Sequence, residues 1–189
     1  MPKETPWTNR LKEVQKTWFS PCLNYRRSIR DLIVKLLKPH DLLLDVGCGT
    51  GILKDHLPPE SFYVGIDYTG EFLDFLSQKK PLGLVLGDVN LIPFQDNIFK
   101  IVNETGVLFH CSQWKNVIIE MVRVSQKYVI STTRISEETK IIGLNPFRIV
   151  FSEKDVITEF KKHGSVTFEK VKDMEGQLTL GMTLVEKKL

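Results

Sequence analysis

Cysteine is scarce and poorly spaced for a structural role. Cys22, Cys48 and Cys111 are odd in number, far apart and without a Cys-x-x-Cys spacing, which argues against a disulfide framework and against a zinc site. No metal is therefore expected, and a reducing cytoplasm is the expected location. No apolar run approaches the roughly 20 residues that span a bilayer, and the opening residues Pro2 to Pro6 are polar, so neither export nor a membrane anchor is expected. Charge of one sign is not concentrated either. The net charge of +3 and pI near 8.7 come from small clusters at Arg26-Arg27-Arg30, Lys79-Lys80, Lys161-Lys162 and Lys187-Lys188. Their scatter reads as solvated surface, whereas a nucleic-acid binder calls for a concentrated basic stripe. Repeats and low-complexity segments are absent. What remains is a chain of 189 residues, 42% hydrophobic and 26% charged, which suits one domain over 1–189. Residues 1–40 read as a helical N-terminal cap and 41–189 as an α/β core. Nothing in the composition fixes an oligomeric state.

The hydrophobic rhythm sets the element order. From Arg26 to Leu37, Ile29, Leu32, Ile33, Leu36 and Leu37 recur at the spacing of one helical face, and Lys38-Pro39 ends the pattern. An earlier helix is expected around Trp7, Leu11, Val14 and Trp18-Phe19, separated by Pro21. Leu42-Leu43-Leu44-Asp45-Val46 is a short continuous apolar run closed by Gly47-Cys48-Gly49-Thr50-Gly51, the pattern of a doubly buried strand before a glycine turn. Ile52 to Leu57 predicts a short helix, and Phe62 to Asp67 the next strand, giving a right-handed βαβ unit. A helix over Glu71 to Lys79, strands at Leu84 to Leu86 and Phe99 to Asn103, a helix bearing Val117, Ile118, Met121 and Val122, and a strand over Tyr128 to Thr132 follow. Ser152, with Asp155 three residues on, should cap the last helix. Ser165 to Val171 and Leu178 to Val185, turning around Glu175-Gly176, should pair antiparallel. This alternation predicts a doubly wound α/β sheet, mostly parallel, with an antiparallel C-terminal hairpin.

In such a sheet a ligand belongs at the carboxyl ends of the strands, where strand order reverses. Gly47, Gly49 and Gly51 allow a sharp turn and present amide N–H groups to a ligand. Asp67 ends the second strand 20 residues after Gly47, placed to accept hydrogen bonds from both hydroxyls of an adenosine ribose. Asp88 ends the third, placed to meet an adenine amino group. A tight turn serving only packing, or an aspartate serving only as a cap, is the plainer reading of each feature alone; three successive strand ends with matching chemistry favour a site.

From about Arg26 onward the chain resembles the class I S-adenosylmethionine-dependent methyltransferases. The resemblance rests on Leu44-Asp45-Val46-Gly47-Cys48-Gly49-Thr50-Gly51, Val64-Gly65-Ile66-Asp67, Gly87-Asp88-Val89 with Ile92-Pro93-Phe94, and Asn97-Ile98-Phe99 through Thr105-Gly106-Val107-Leu108. It implies a Rossmann-like sheet of seven strands and S-adenosylmethionine as cofactor. It further implies that Asp45 and the Gly47-Cys48-Gly49-Thr50-Gly51 turn hold the methionine part, Asp67 the ribose and Asp88-Val89 the adenine. Glu104 and Thr105 would face the sulfonium. A nicotinamide dehydrogenase is the competing reading, but its usual G-x-G-x-x-G is not the G-x-G-x-G found here, and it does not call for an acid at the third strand. Two departures from the family bear on subfamily more than on cofactor. Lys100 stands where relatives commonly carry an acid, and Val124-Ser125-Gln126-Lys127 lacks the Pro-Gly-Gly turn.

Methyl transfer from a sulfonium needs alignment and exclusion of water, with a base only where the acceptor must shed a proton. His110 is the candidate base, with a partly exposed bystander as the plainer alternative. Cys111 lacks the preceding proline of covalent cytosine methylation. Tyr25 and Tyr68 are expected to close over the cofactor and its acceptor. The connection from Arg134 to Phe151 is expected to cap the acceptor, with Arg134, Phe147 and Arg148 contributing to a partly apolar site that suits an acidic group. A small-molecule acceptor is the working expectation. RNA or protein methylation and a catalytically silent partner subunit are the alternatives.

Overall fold

The computed structural model describes residues 6–12, 24–172 and 179–188. The expected helix through Val14 and Trp18-Phe19, the turn at Glu175-Gly176 and the side chain of Tyr25 lie outside the described residues. The ordered elements begin with α1 (Asn24–Leu36), β1 (Leu42–Val46), β2 (Phe62–Asp67), α2 (Gly70–Ser77) and β3 (Gly83–Leu86). They continue with β4 (Phe99–Thr105), α3 (Trp114–Val124) and β5 (Ser125–Ser136). The chain finishes with β6 (Lys140–Leu144), β7 (Phe147–Ser152), α4 (Glu153–Lys161), β8 (Gly164–Lys172) and β9 (Thr179–Lys187).

The sheet runs β3-β2-β1-β4-β5, with β9 antiparallel to β5 and β8 antiparallel to β9. Strands β1 to β5 are mutually parallel, as alternating strands and crossover connections require. These seven strands match the expected sheet. The order reverses between β1 and β4, so a crevice opens at the carboxyl ends of that pair.

Two expectations are corrected. Residues Ile52 to Leu57 do not form an α-helix; only a 3-10 turn over Lys54–His56 is present, because Pro58-Pro59 leaves too little chain for a second turn. The connection from Arg134 to Phe151 is not a loop. It holds β6 and β7, an antiparallel hairpin with Leu144 opposite Phe147, and β7 pairs in parallel with the tip of β5 at Ile135 and Ser136, bringing the sheet to nine strands.

Side-chain alternation along the strands divides the core in two. Leu44, Val46, Val64, Ile66 and Val102 face α3 and α4, packing with Val117, Ile118, Met121, Val156 and Phe160. Leu43, Tyr63, Ile101 and Ile130 face the other way, onto Ile29 and Ile33 of α1 and Leu73 and Leu76 of α2. The helical periodicity of α1 thus puts Ile29 and Ile33, four residues apart, under the sheet. No helix among the described residues is long and apolar enough to cross a membrane.

The cap of α4 is as expected: Ser152 Oγ accepts from Asp155 N at 3.1 Å. Ser152→Ala is expected to lower stability by about 1 kcal/mol, read as a shift in the urea midpoint with unchanged slope; no shift would mean that water caps the helix equally well.

Candidate active site

The turn after β1 is bound to the tip of β2 through its backbone. Gly47 N and Cys48 N both donate to Ile66 O, at 2.8 and 3.1 Å, and Gly51 N donates to Cys48 O at 2.9 Å. Gly47 and Gly51 hold φ of +65° and +70°, a region that costs any residue with a Cβ. Space forbids a side chain as well: a Cβ on Gly47 would stand 2.2 Å from Val107 Cγ2, and one on Gly51 2.1 Å from Leu76 Cδ1.

Asp67 completes the bend. Its Oδ2 accepts from Gly49 N and its Oδ1 from Thr69 N, both at 2.9 Å, and Asp67 is only 5% exposed. Burial raises its pKa against hydrogen bonds from the backbone and side chain of Thr69 and from the Gly49 and Tyr68 backbones. Gly87 N donates to Asp67 O at 3.0 Å, which draws the end of β3 alongside. Asp88 there is exposed, its Oδ1 accepting from both Asn90 N and Asn90 Nδ2 at 2.8 Å, while Val89 is buried. Three strand tips therefore meet around one bend.

Asp45 lies deeper. Its Oδ2 accepts from the Tyr63 hydroxyl at 2.6 Å and its Oδ1 from Asn103 Nδ2 at 2.9 Å. Burial outweighs those two bonds and lifts the carboxyl to a pKa of about 6, with Asp67 adding repulsion. Tyr63 and Asn103 were not singled out from sequence, although Asn103 pairs in register with Asp45. Cys48 packs its sulfur into the space left by Gly65, and burial with Asp45 and Asp67 nearby keeps its thiol protonated.

Asp45, Gly47, Cys48, Thr50 and Thr105 line a solvent-open cleft whose other wall is Ile29 and Arg30 of α1 with Ile52, Leu53 and His56. Arg30 and His56 are lining residues missed by sequence reasoning. Thr50 is 1% exposed, and its Oγ1 has no hydrogen-bond partner among the described residues. A buried orphan hydroxyl beside the buried Asp45 carboxylate is a polar lining able to take a hydrogen-bonding ligand.

Glu104 does not face that cleft. On β4 successive side chains alternate, so Asn103 and Thr105 point toward α1 and Glu104 points the opposite way. Its carboxylate is fully buried between β4, β5 and the following loop. Oε2 accepts from Val107 N at 2.8 Å and Leu108 N at 3.4 Å; Oε1 accepts from Thr132 N at 3.0 Å and from the Ser131 hydroxyl. Burial nonetheless lifts its pKa to about 7. The expectation that Glu104 meets the sulfonium is corrected: it braces Val107, which rests on Gly47.

Beyond Gly106 the chain makes a 3-10 turn over Leu108–His110. His110 Nδ1 lies 3.0 Å from Phe147 O. A carbonyl only accepts, so Nδ1 carries the proton and Nε2 keeps a free lone pair in the neutral ring. Burial lowers the His110 pKa, and Arg134, Arg148 and Arg10 lower it further. The hairpin β6–β7 thus brings Phe147 and Arg148 to His110, and Arg134 stands 4.2 Å from the Phe109 ring. Cys111, lifted to about 12 by burial and by Glu104 and Asp88, stays a neutral thiol. Trp7 is a participant not foreseen from sequence. Its ring meets His110 edge to face at 5.0 Å, and its indole N–H donates to the Tyr68 hydroxyl. Asn9 N donates to Glu71 Oε2 at 2.8 Å, anchoring this N-terminal turn over the crevice.

Residues 44–128 match the family model described as a methyltransferase domain. That stretch is thus similar to a methyltransferase domain. The methyltransferase fold recurs in the 1,6-didemethyltoxoflavin-N1-methyltransferase of Burkholderia thailandensis, at TM-score 0.79 and 12% identity over 100% of this chain and 93% of that one. An uncharacterized methyltransferase of Schizosaccharomyces pombe is 32% identical over 109 residues, 50% of this chain and 39% of that protein. A human protein named as a probable tRNA methyltransferase 9B is 35% identical over 91 residues, 46% of this chain and 19% of its own length. The chain thus spans about two fifths or less of these curated relatives. S-adenosylmethionine is the cofactor of this methyltransferase family, and the glycine turn, Asp45 and Asp67 all fall inside the matched residues.

Proposed function

We propose that this chain transfers the methyl group of S-adenosylmethionine to a small-molecule acceptor. The observation that carries the reading is Asp67: one buried carboxylate ties the glycine turn to the end of β2, at the strand tip where a ribose would lie. Asp88 and Val89 suit the adenine, one as acceptor and one as apolar contact. Asp45, Thr50 and Thr105 suit the methionyl amine, and Arg30 suits its carboxylate; a cation here relieves the burial that raises Asp45. Bound in the cleft, the cofactor supplies an electrophilic methyl carbon on a good leaving group. The chain's own contribution is alignment and a dry cleft, an effect of roughly 7–11 kcal/mol where geometry is close to in-line. His110, neutral and with Nε2 free, is the base for an acceptor that must lose a proton. Tyr68 and Trp7 cover the crevice from the N-terminal side.

Calorimetry with S-adenosylhomocysteine and with NAD tests the cofactor. S-adenosylhomocysteine should bind and NAD should not; the reverse result removes the proposal. Asp67→Ala should weaken S-adenosylhomocysteine by about 1–3 kcal/mol, and unchanged affinity would sink the ribose assignment.

The likeness to the human protein favours a second reading, an RNA acceptor. Radiolabel from the methyl group, offered metabolite extract, bulk RNA and cell protein separately, distinguishes the two, and label in none of them would favour a silent subunit.

A further inference from the structure

Two arginines from separate parts of the chain stand one aromatic ring away from His110, and the charge of a third, Arg148, also acts on it. Arg10 lies 5.1 Å over the Trp7 ring, and Trp7 meets His110 at 5.0 Å. Arg134 lies 4.2 Å over Phe109, and Phe109 meets His110 at 4.8 Å. Arg148 is exposed on β7 immediately after Phe147, whose carbonyl holds the His110 ring. The arginine fork lies flat over Gly143, where a Cβ would come within 2.8 Å of Arg148 Nε. Asp67 and Asp88 act on Tyr68 nearby, and Glu71 holds the N-terminal turn through Asn9 N.

We propose that the acceptor is a small molecule carrying a carboxylate or phosphate, gripped by Arg10, Arg134 and Arg148 beside His110. This rests on the methyltransferase reading above and specifies its substrate class. Guanidinium forks match the geometry of both anions and bind them through paired N–H groups. The Trp7 ring beside His110 supplies an apolar wall, so an aryl or other compact apolar body bearing the anion fits there. A polynucleotide would need cations spread along a path, whereas Arg10 and Arg134 each reach His110 through a single aromatic ring.

The test uses the whole chain saturated with S-adenosylhomocysteine, with phenyl phosphate and benzoate as probes of the two anion types. The readout is the titration of the His110 ring protons by NMR. Either probe should raise the His110 pKa by about half a unit or more, since an anion offsets the arginine charge. A response to one probe alone identifies which anion the site takes. Arg148→Ala and, separately, Arg10→Ala should weaken probe binding about tenfold with S-adenosylhomocysteine affinity unchanged; Arg148→Lys should fall between. If S-adenosylhomocysteine binds but neither probe moves His110, the anion assignment is overturned and the methyltransferase reading stands. If S-adenosylhomocysteine itself fails to bind, that reading falls first. Tight binding of a short single-stranded RNA that excludes both probes would transfer the arginines to nucleic acid and overturn the small-molecule assignment.

Discussion

Gly47→Ala is expected to weaken S-adenosylhomocysteine by tenfold or more and to destabilise the fold by about 2–4 kcal/mol. Two costs combine. An alanine at φ +65° incurs about 1–2 kcal/mol of left-handed backbone strain. Its Cβ, 2.2 Å from Val107 Cγ2, forces either the turn or the Val107 loop to move, and overpacking of this kind costs about 1–3 kcal/mol. The Val107 loop has little room to yield, because Glu104 holds Val107 N from below. Displacement of the turn then carries Gly49 N away from Asp67, so the binding loss accompanies the stability loss. The control is Gly70→Ala at the start of α2, where a Cβ meets nothing within 4 Å; it should be neutral or slightly stabilising. Thermal unfolding and calorimetry on both variants check the pair. Equal behaviour of the two alanines would show that the Gly47 turn is not constrained in the manner described.

The second large effect is a pH dependence of stability centred on Glu104. Its folded pKa of about 7 lies above the ordinary 4.5, so between those values the folded protein binds more protons than the unfolded chain. Stability from this group is therefore complete below pH 4.5 and is lost as pH rises through about 7, a change of about 3 kcal/mol. Asp45 and Asp67 act in the same direction, and His110 and His163, whose pKa values are lowered, act in the opposite one. Glu104→Gln isolates the contribution. The amide must turn its NH2 toward backbone N–H donors, so the variant is the less stable protein at pH 4.5, by about 1–3 kcal/mol. As pH rises to 8 the gap should close or reverse, because only the wild type must ionise a buried acid. Urea unfolding of both proteins at pH 4.5, 6 and 8 measures this, and a gap that widens with pH would mean that Glu104 is ionised throughout.

The two effects are connected through one contact, Val107 on Gly47. Strain at the glycine turn and ionisation of Glu104 press on the same short loop after β4. That loop also leads to His110, so both variants should disturb the acceptor side as well as the cofactor side.

Local sequence patterns determined the buried strands β1 and β2, the glycine turn between them and the helix cap at Ser152. Each depends on residues near in sequence: an apolar run, a left-handed glycine, a capping hydroxyl. The alternation of strands and helices then left one economical way to arrange them. The hairpin β6–β7 escaped notice because Ile141, Ile142 and Leu144 are exposed on an edge strand; the period-two burial of Ile149 and Phe151 was the signal available. The same period of two decided Glu104, since strand parity turns its carboxylate away from the face shared by Asp45, Asn103 and Thr105. Only tertiary structure could assemble Tyr63 and Asn103 around Asp45, or bring Trp7, Arg10, Arg134 and Arg148 to His110. Those partners are separated by tens of residues, and their encounter is set by which elements pack across the sheet, a long-range outcome that no local periodicity encodes.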